Sequence, residues 1–187
     1  MAAAKPPFLQ VYGIRHPLVG ARAVDLVLAR LVPPLVHGQS LDDLNVEVLF
    51  EDKAVIAVGA KSRWARRRNL RLADLVNETR ILAEPNTWNH TIIAEAFAAR
   101  GLAMPKISLM TLSVHLRINL IANGPFITVF PRSVMNLYAS RFSLKELAVD
   151  FAVRPWPLAV VTLKGRTPSP VVKLFIDHLH TSVRLHR

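Results

Sequence analysis

Short apolar runs, each bounded by charged residues, proline or glycine, divide the first third of the chain into segments of strand length. One run covers 24–29 and ends at Arg30, a second alternates between apolar and polar positions over 46–50, and a third covers 54–58. β-Branched residues recur in these runs, and runs of this length and composition are typical of β-strands with a buried face. The pattern predicts a sheet in this part of the chain.

Strand-like and helical patterns alternate from residue 70 onward. A short helix-compatible stretch covers 70–76. The apolar runs that predict strands then cover 79–83, 106–110, 126–130 and 158–163. Because strands separated by helices pair in parallel, the alternation predicts an α/β fold with crossover helices. Folds of this class bind ligands outside the carboxyl ends of their strands.

Capping residues predict where the first two of these helices begin and end. Asn89 is the expected N-cap of the first helix, and Gly101 is its expected left-handed stop. Thr111 or Ser113 is expected to cap the second helix, which Gly124 closes. Both helices are therefore predicted to start directly after a strand.

Proline marks the start of the last two helices. Pro131 is expected at the first position of the third helix, and Pro170, preceded by the cap Ser169, at the first position of the fourth. The fourth helix is predicted to bury one stripe, formed by Val172, Phe175, Ile176, Leu179 and Val183.

Composition excludes several classes of protein. Half of the 187 residues are hydrophobic (51%) and a fifth are charged (20%), as in an ordinary globular protein. The sequence has no cysteine, so disulfide frameworks, thiolate zinc sites and cysteine nucleophiles are excluded. The first nine residues do not resemble a signal peptide, and no apolar run is long enough to cross a bilayer. We expect a soluble cytoplasmic chain that does not associate with membranes.

The chain is strongly basic. Its 24 lysines and arginines exceed its 13 acidic residues by 11. The densest group of basic residues consists of Arg63, Arg66, Arg67, Arg68 and Arg71, and one aromatic residue, Trp64, lies among them. A solvated loop is the favoured interpretation, and a patch that contacts phosphates is the alternative, because charge alone specifies no partner.

The sequence contains little that would support catalysis. The seven histidines are dispersed, and His178 and His180, two residues apart on a predicted helix, do not share a face. Nucleophile elbows, phosphate loops and dinucleotide fingerprints are absent from the sequence. The acidic residues that precede or follow the early strands, Asp42, Asp43, Glu51 and Asp52, are interpreted as turn and surface residues. We expect no enzyme activity, no metal and no cofactor.

Several segments, taken in order, are similar to one family. These segments are Val24-Asp-Leu-Val-Leu-Ala-Arg-Leu31, Val46-Glu-Val-Leu-Phe-Glu-Asp52, Ala65-Arg-Arg-Arg68, Leu72-Ala-Asp-Leu75, Ile81-Leu-Ala-Glu-Pro85, Phe97-Ala-Ala-Arg-Gly-Leu102, Leu120-Ile-Ala-Asn-Gly124, Phe130-Pro-Arg-Ser133 and Ser169-Pro170. Together they resemble the effector-binding domains of LysR-type transcriptional regulators.

The resemblance implies a two-lobed, periplasmic-binding-protein-like (type 2) α/β fold, with mixed sheets, helices on both faces and a ligand cleft between the lobes. The first lobe would comprise residues 1–60 and 153–187, and the second lobe residues 61–152. Residues 1–21 match the family pattern poorly, so the first lobe is expected to be truncated, and the helix-turn-helix that reads DNA has no room before Val24.

The same resemblance implies a function. The chain would sense a small organic acid and act as a homodimer, or as a mixed dimer with a full-length regulator, without reading a DNA sequence itself. The alternative is a stand-alone solute-binding protein of transport with the same fold, which would be expected to carry an export signal.

Positions that match the family's cleft are the candidate ligand-binding residues: Arg30, Pro85, Asn86, Thr87, Thr111, Ser113, Phe130 and Pro131. A guanidinium or a free helix N-terminus would hold a carboxylate, and the apolar residues would form a wall. Each position also has a structural alternative. Arg30 could be a surface residue paired with Asp25 or another acidic neighbour, and residues 85–87 could simply enter a helix. Thr111 and Ser113 could be ordinary caps, and Phe130 and Pro131 could be core residues.

Overall fold

The computed structural model describes residues 9–11, 14–16, 24–31, 43–85, 87–151 and 153–185. In chain order the elements of these ranges are β1 (Leu9–Val11), β2 (Ile14–His16), β3 (Leu26–Arg30), β4 (Leu44–Asp52), β5 (Ala54–Gly59), a 3₁₀ turn (Leu72–Leu75), β6 (Arg80–Leu82), α1 (Trp88–Ala98), β7 (Ile107–Met110), α2 (Val114–Asn123), β8 (Ile127–Pro131), α3 (Arg132–Tyr138), β9 (Leu144–Glu146), β10 (Trp156–Leu163) and α4 (Pro170–Leu185).

The chain divides into two compact units. Unit 1 comprises Met1–Glu51 and Trp156–Arg187, and unit 2 comprises Asp52–Pro155. Strand β5, which ends at Gly59, belongs to the sheet of unit 2. The lobe limits at 60 and 153 remain predictions from the sequence.

Unit 1 contains a three-stranded sheet with the order β3-β10-β4, in which β10 runs antiparallel to β3. A separate antiparallel pair is formed by β1 and β2. The alternating pattern of β3 places Val27 and Ala29 in the core of the unit, where they pack with Leu44 and Val161. The predicted strands at 24–29, 46–50 and 158–163 are therefore confirmed.

Helix α4 buries less of its surface than its sequence pattern predicts. Val172 is buried, whereas Val171, Leu174 and Phe175 are exposed. The prediction that Phe175 belongs to the buried stripe is wrong. The buried side of the helix runs through Val172 and the half-buried Ile176, and Phe175 lies about 60° round the helix from Val172.

Unit 2 contains a five-stranded mixed sheet with the order β7-β6-β8-β5-β9. Strand β6 is parallel to both β7 and β8, and β5 is antiparallel to β8 and β9. The predicted strands at 54–58, 79–83, 106–110 and 126–130 are confirmed, whereas the short strand β9 was not predicted. One core cluster of this unit contains Val55, Ala57, Ile81, Ile118, Ile121, Phe130, Met135 and Leu144.

Helix α1 begins earlier than its capping pattern predicts. Its N-cap is Thr87, and Asn89 lies within the first turn, so the prediction of Asn89 as the cap is wrong. The reason is tertiary, because the Asn89 side chain is buried and donates a hydrogen bond to the Val129 carbonyl at 3.3 Å. The predicted stop is confirmed, because Gly101 has a φ of 66°.

The other helix starts follow local chemistry. The Ser113 hydroxyl accepts a hydrogen bond from Leu116 N at 3.2 Å and caps α2. Helix α4 begins at Pro170 as predicted, with the Ser169 hydroxyl accepting from Val172 N. Pro131, however, is the last residue of β8 and precedes α3 rather than beginning it, because its backbone is extended with a ψ of 144°.

Candidate functional site

One edge of the unit 2 sheet collects the carboxyl ends of its three parallel strands. Helices α1, α2 and α3 follow β6, β7 and β8 respectively, so each helix begins at this edge. A hydrogen bond of 2.9 Å from Thr111 N to the Leu82 carbonyl joins the ends of β7 and β6. The edge therefore has the position at which α/β sheets bind ligands.

The loop between β6 and α1 uses its polar groups internally. The Thr87 hydroxyl donates to the Glu84 carbonyl at 2.7 Å, and Thr87 itself is buried. The Thr87 carbonyl accepts from Thr91 N and from the Thr91 hydroxyl. Pro85 lies exposed in the turn, and Asn86 falls outside the described residues. These bonds join Thr87 to Glu84 before it and to the first turn of α1.

The turn between β7 and α2 presents two hydroxyl groups. The Thr111 hydroxyl accepts a hydrogen bond from Ser113 N at 3.1 Å, and the Ser113 hydroxyl accepts from Leu116 N at 3.2 Å. Ser113 is exposed and Thr111 is half-buried. Since both oxygens act as acceptors here, each hydroxyl keeps its proton for an acceptor such as a carboxylate. Capping and ligand binding are compatible at these two residues.

Strand β8 ends in buried side chains. Phe130 has no exposed surface and packs in the core cluster of unit 2, and Pro131 is also buried. The Arg117 guanidinium lies 4.6 Å from the centre of the Phe130 ring and donates to the Val129 carbonyl at 3.2 Å. This burial matches the structural alternative for Phe130 and Pro131, in which they belong to the core.

The start of α3 is occupied by an acidic side chain. Asp52, the last residue of β4, is buried, and its carboxylate accepts hydrogen bonds from Ser133 N at 3.2 Å and from the Ser133 hydroxyl at 2.5 Å. The interpretation of Asp52 as a turn or surface residue is therefore wrong. Because a carboxylate already interacts with this helix start, the starts of α1 and α2 are better suited to an added anion.

Sequence reasoning missed the role of three polar residues at this edge: Asn89, Arg117 and Asp52. Asn89 and Arg117 both donate to the Val129 carbonyl, so α1 and α2 are attached to the same point of β8. Asp52 attaches β4 to α3 in a similar way. Local sequence patterns carry no signal for these bonds, because the bonded residues are from 12 to 81 positions apart.

Arg30 belongs to unit 1, unlike the other candidate residues. It is the last residue of β3, is half-buried, and lies opposite Leu158 of β10. Asp25, which the alternative pairs with Arg30, forms an ion pair of 3.0 Å with Arg166. The carboxylate named in the alternative therefore has Arg166 as an ion-pair partner.

A cavity of about 670 Å³ lies at the opposite end of the unit 2 strands, and it contains none of the sequence-predicted site residues. It adjoins the end of β5 at Gly59 and the end of α2 at Gly124. The Trp64 indole donates to the Glu78 carboxylate at 2.8 Å, and Arg63 pairs with the same carboxylate. Other polar residues of the wall are Lys61, Asn77 and Asn123.

The described residues contain no group of three or more histidine, aspartate or glutamate side chains placed to hold a metal ion. None of the helices in the described ranges is both long and apolar enough to cross a membrane.

Comparison with known proteins gives a family and a fold. The family model described as the LysR substrate binding domain matches residues 16–184. No curated protein sequence matches the chain significantly. Many solved structures have a similar fold.

The regulatory domain of CcmR from Synechocystis PCC6803, solved in complex with 2-PG, is 19% identical with a TM-score of 0.72, over 89% of this chain and 76% of that chain. The effector binding domain of QuiR, in complex with shikimate, is 18% identical with a TM-score of 0.69, over 91% and 77%. The probable transcriptional regulator PA0477 from Pseudomonas aeruginosa is 16% identical with a TM-score of 0.70, over 89% and 53%.

At these identities the structural neighbours show the fold, and the family model shows the family. The expected mixed α/β architecture agrees with both. This chain belongs to the LysR substrate binding domain family, the effector-binding domains of transcriptional regulators, and has their periplasmic-binding-protein-like (type 2) fold.

Proposed function

We propose that this chain binds a small organic acid at the edge of unit 2 where α1 and α2 begin, and that it acts as a regulatory module through dimerisation. The observation that carries the proposal is the β7–α2 turn, where Thr111 and Ser113 each keep a hydroxyl proton at the start of a helix. Hydroxyl donors beside a positive helix end suit a carboxylate. The relatives solved with 2-PG and with shikimate, which is itself a carboxylate, support a ligand of this class.

The distribution of charge around the edge also supports an acid. Asp52 covers the start of α3, which directs an anion toward the starts of α1 and α2. In the proposed site the hydroxyls of Thr111 and Ser113 donate to the carboxylate. Arg30, which belongs to unit 1, stays a candidate from the sequence resemblance alone. Residues 85–87 stay candidate contacts from the sequence, and Phe130 and Pro131 are buried apolar residues at the end of β8.

The apolar side chains near β7 support dimerisation. Strand β7 is at the edge of its sheet, so one row of its backbone groups faces no strand among the described residues. Exposed apolar residues gather on and around this strand: Met104, Leu109, Met110, Leu112 and Leu116. We propose that this face associates with a second copy of the chain or with a full-length regulator, because apolar surface of this kind marks association sites.

A thermal-shift screen tests the proposed ligand class. Aromatic and aliphatic carboxylic acids, shikimate included, are added to the purified chain, and the corresponding alcohols and amides serve as controls. An acid that binds is expected to raise Tm, because it binds the folded state alone. If no acid raises Tm more than its uncharged control, the proposal is wrong.

Light scattering with size-exclusion chromatography tests the dimer. The mass is expected to correspond to two chains, and Met110→Lys with Leu116→Lys is expected to give single chains, because charge is disfavoured in an apolar interface. Leu137→Lys is the matched control, since Leu137 is also exposed but belongs to α3. Equal masses for all three proteins would contradict the proposed face.

A further inference from the structure

Residues 61–71, here named the basic loop, follow β5 in a fixed conformation. Short-range hydrogen bonds join Ser62 N to the Gly59 carbonyl at 2.9 Å and Ala65 N to the Ser62 carbonyl at 3.0 Å. Ala65 and Leu70 are buried, and Leu70 forms an isolated bridge with Val149. The charged side chains of this loop are therefore held on an anchored backbone.

The basic loop carries more positive charge than nearby acids neutralise. Six of its side chains are cationic, and two acidic side chains that follow it form ion pairs with it, Glu78 with Arg63 and Asp74 with Arg71. Four positive charges remain. They belong to Lys61, Arg66, Arg67 and Arg68, which are exposed and form no ion pair with an acidic side chain within the described residues.

The aromatic residue of the loop is not available for stacking on a nucleobase. The Trp64 indole donates to Glu78, and its ring lies 4.9 Å from the guanidinium of Arg63 and 5.9 Å from that of Arg67. A partner would therefore meet guanidinium groups rather than an aromatic face. Such a surface recognises charge and phosphate geometry, not the identity of bases.

The apolar residues of the loop distinguish between two kinds of anionic partner. Segments that bind a lipid surface insert exposed apolar side chains beside their basic ones. In the basic loop Ala65 and Leu70 point into unit 2 and are buried. The surface thus has the cations that phosphates need and lacks the apolar side chains that a membrane would take up.

We propose that the basic loop binds the phosphate backbone of duplex DNA without sequence preference. Arginine side chains form paired hydrogen bonds with phosphate oxygens, and three consecutive exposed arginines offer several such contacts. The family consists of domains of transcriptional regulators, and transcriptional regulators act on duplex DNA, which is therefore the polyanion expected near this loop. This proposal does not depend on the proposed binding of an organic acid, because the basic loop lies at the end of the unit 2 strands opposite the edge where α1 and α2 begin.

Fluorescence anisotropy of a labelled duplex of arbitrary sequence tests this inference. The wild-type chain is titrated at several salt concentrations between about 50 and 200 mM, and log Kd is plotted against log salt. Replacing Arg66, Arg67 and Arg68 by Gln removes three phosphate contacts, so the slope is expected to fall by about 2.7. The lysine triple variant at the same positions keeps the charge and is expected to keep the slope.

A second triple variant controls for net charge. Lys106→Gln, Arg141→Gln and Lys145→Gln remove the same three charges from exposed positions elsewhere in unit 2 and are expected to leave the slope within about one unit of wild type. Equal losses in the two glutamine variants would overturn the proposal, and so would the absence of salt-dependent binding by the wild-type chain.

Two further measurements complete the test. Thermal melting confirms that each variant folds, and the single variant Arg67→Gln replaces the triple one if that variant is unfolded, with an expected slope change of about 0.9. Vesicles containing phosphatidylserine test the membrane. Binding to the vesicles that exceeds binding to DNA, and that is lost in the triple glutamine variant, would assign the loop to lipid and overturn the proposal.

Discussion

The carboxylate of Asp52 accepts two hydrogen bonds from Ser133, one from the backbone N–H at 3.2 Å and one from the hydroxyl at 2.5 Å. The pair joins the last residue of β4 to the first turn of α3, across 81 positions of the sequence. Asp52 also stands at the boundary between the two units. One buried carboxylate thus fixes a helix start and marks where the chain enters unit 2.

Removing this carboxylate is expected to destabilise unit 2. Asp52→Ala leaves the Ser133 donors without their acceptor, and a hydrogen bond to a charged group stabilises a protein by about 1.5–3 kcal/mol. We expect a loss of about 2–3 kcal/mol in the free energy of unfolding, measured by urea denaturation. Ser133→Ala, which removes one of the two bonds, is expected to cost less. A variant as stable as wild type would show that the pair contributes nothing.

Close packing at Gly59 predicts a second effect on stability. A Cβ atom at this position would lie 2.3 Å from the Ile121 carbonyl oxygen of α2, so either the helix or the strand would have to move. Gly59→Ala is expected to destabilise the protein by about 1–3 kcal/mol, measured by thermal or urea unfolding.

Gly101→Ala is the control for Gly59→Ala. Gly101 has a positive φ, and a Cβ there would have open space, so only backbone strain of about 1–2 kcal/mol is expected. Gly59→Ala should also loosen the cavity wall formed by the end of α2, which faster hydrogen exchange of 119–123 would detect. Unchanged exchange with full stability would contradict the packing argument.

The buried Arg80 predicts a dependence of stability on pH. Its guanidinium donates to the Leu75 carbonyl at 3.0 Å and lies 5.2 Å from the centre of the Phe97 ring, while Nη1 has no hydrogen-bond partner among the described residues. Burial lowers the pKa of Arg80 to about 10, and the nearby Glu78 opposes this shift. The side chain is therefore still protonated at neutral pH, as a buried cation.

The sign of the effect follows from proton binding. The folded-state pKa lies below the unfolded-state pKa, so above about pH 10 the unfolded chain keeps a proton that the folded chain has lost. The free energy of unfolding therefore increases as pH rises through about 10. Arg80→Met removes the buried charge, so we expect it to be as stable as wild type at pH 7 or more stable by up to about 3 kcal/mol. That advantage should shrink between pH 8 and pH 11.

Urea denaturation of both proteins at these pH values measures the difference. Arg80→Ala serves as a comparison, since it leaves a cavity beside Phe97 and is expected to be clearly less stable than Arg80→Met. A difference between wild type and Arg80→Met that stays constant with pH would contradict the assigned pKa shift.

Two substitutions of Ser113 separate its structural role from its proposed contact with the acid. Aspartate caps a helix as well as serine does, whereas alanine does not, and the loss of a cap costs about 1 kcal/mol. Ser113→Asp is therefore expected to keep the stability of wild type but to lose the Tm increase caused by an acid, because its charge repels a carboxylate. Ser113→Ala should lose stability and only part of that increase.

Thermal shift with an acid identified in the screen measures both effects, and Ser169→Asp is the matched control. Ser169 caps α4 in unit 1 and is not among the candidate ligand-binding residues. If Ser113→Asp binds the acid as well as Ser169→Asp does, the β7–α2 turn does not contact the ligand.

The sequence by itself determined the features that depend on near neighbours. The alternation of strands and helices, the left-handed Gly101 and a cap of α2 at Thr111 or Ser113 all follow from residues within a few positions of one another. Apolar periodicity and capping are local preferences, so the α/β class and many element boundaries could be predicted. The candidate edge could be located for the same reason, as the loops between predicted strands and helices.

Only the tertiary structure decided which polar groups meet across the fold. Asn89, predicted as a cap, is buried as a donor to a carbonyl 40 positions away, and Asp52, predicted on the surface, binds Ser133 81 positions away. Phe175 shares the apolar spacing of α4 but lies beside its buried face. A buried polar group is cut off from water and must find its hydrogen-bond partner within the protein. Which partner lies close enough is decided by the path of the whole chain.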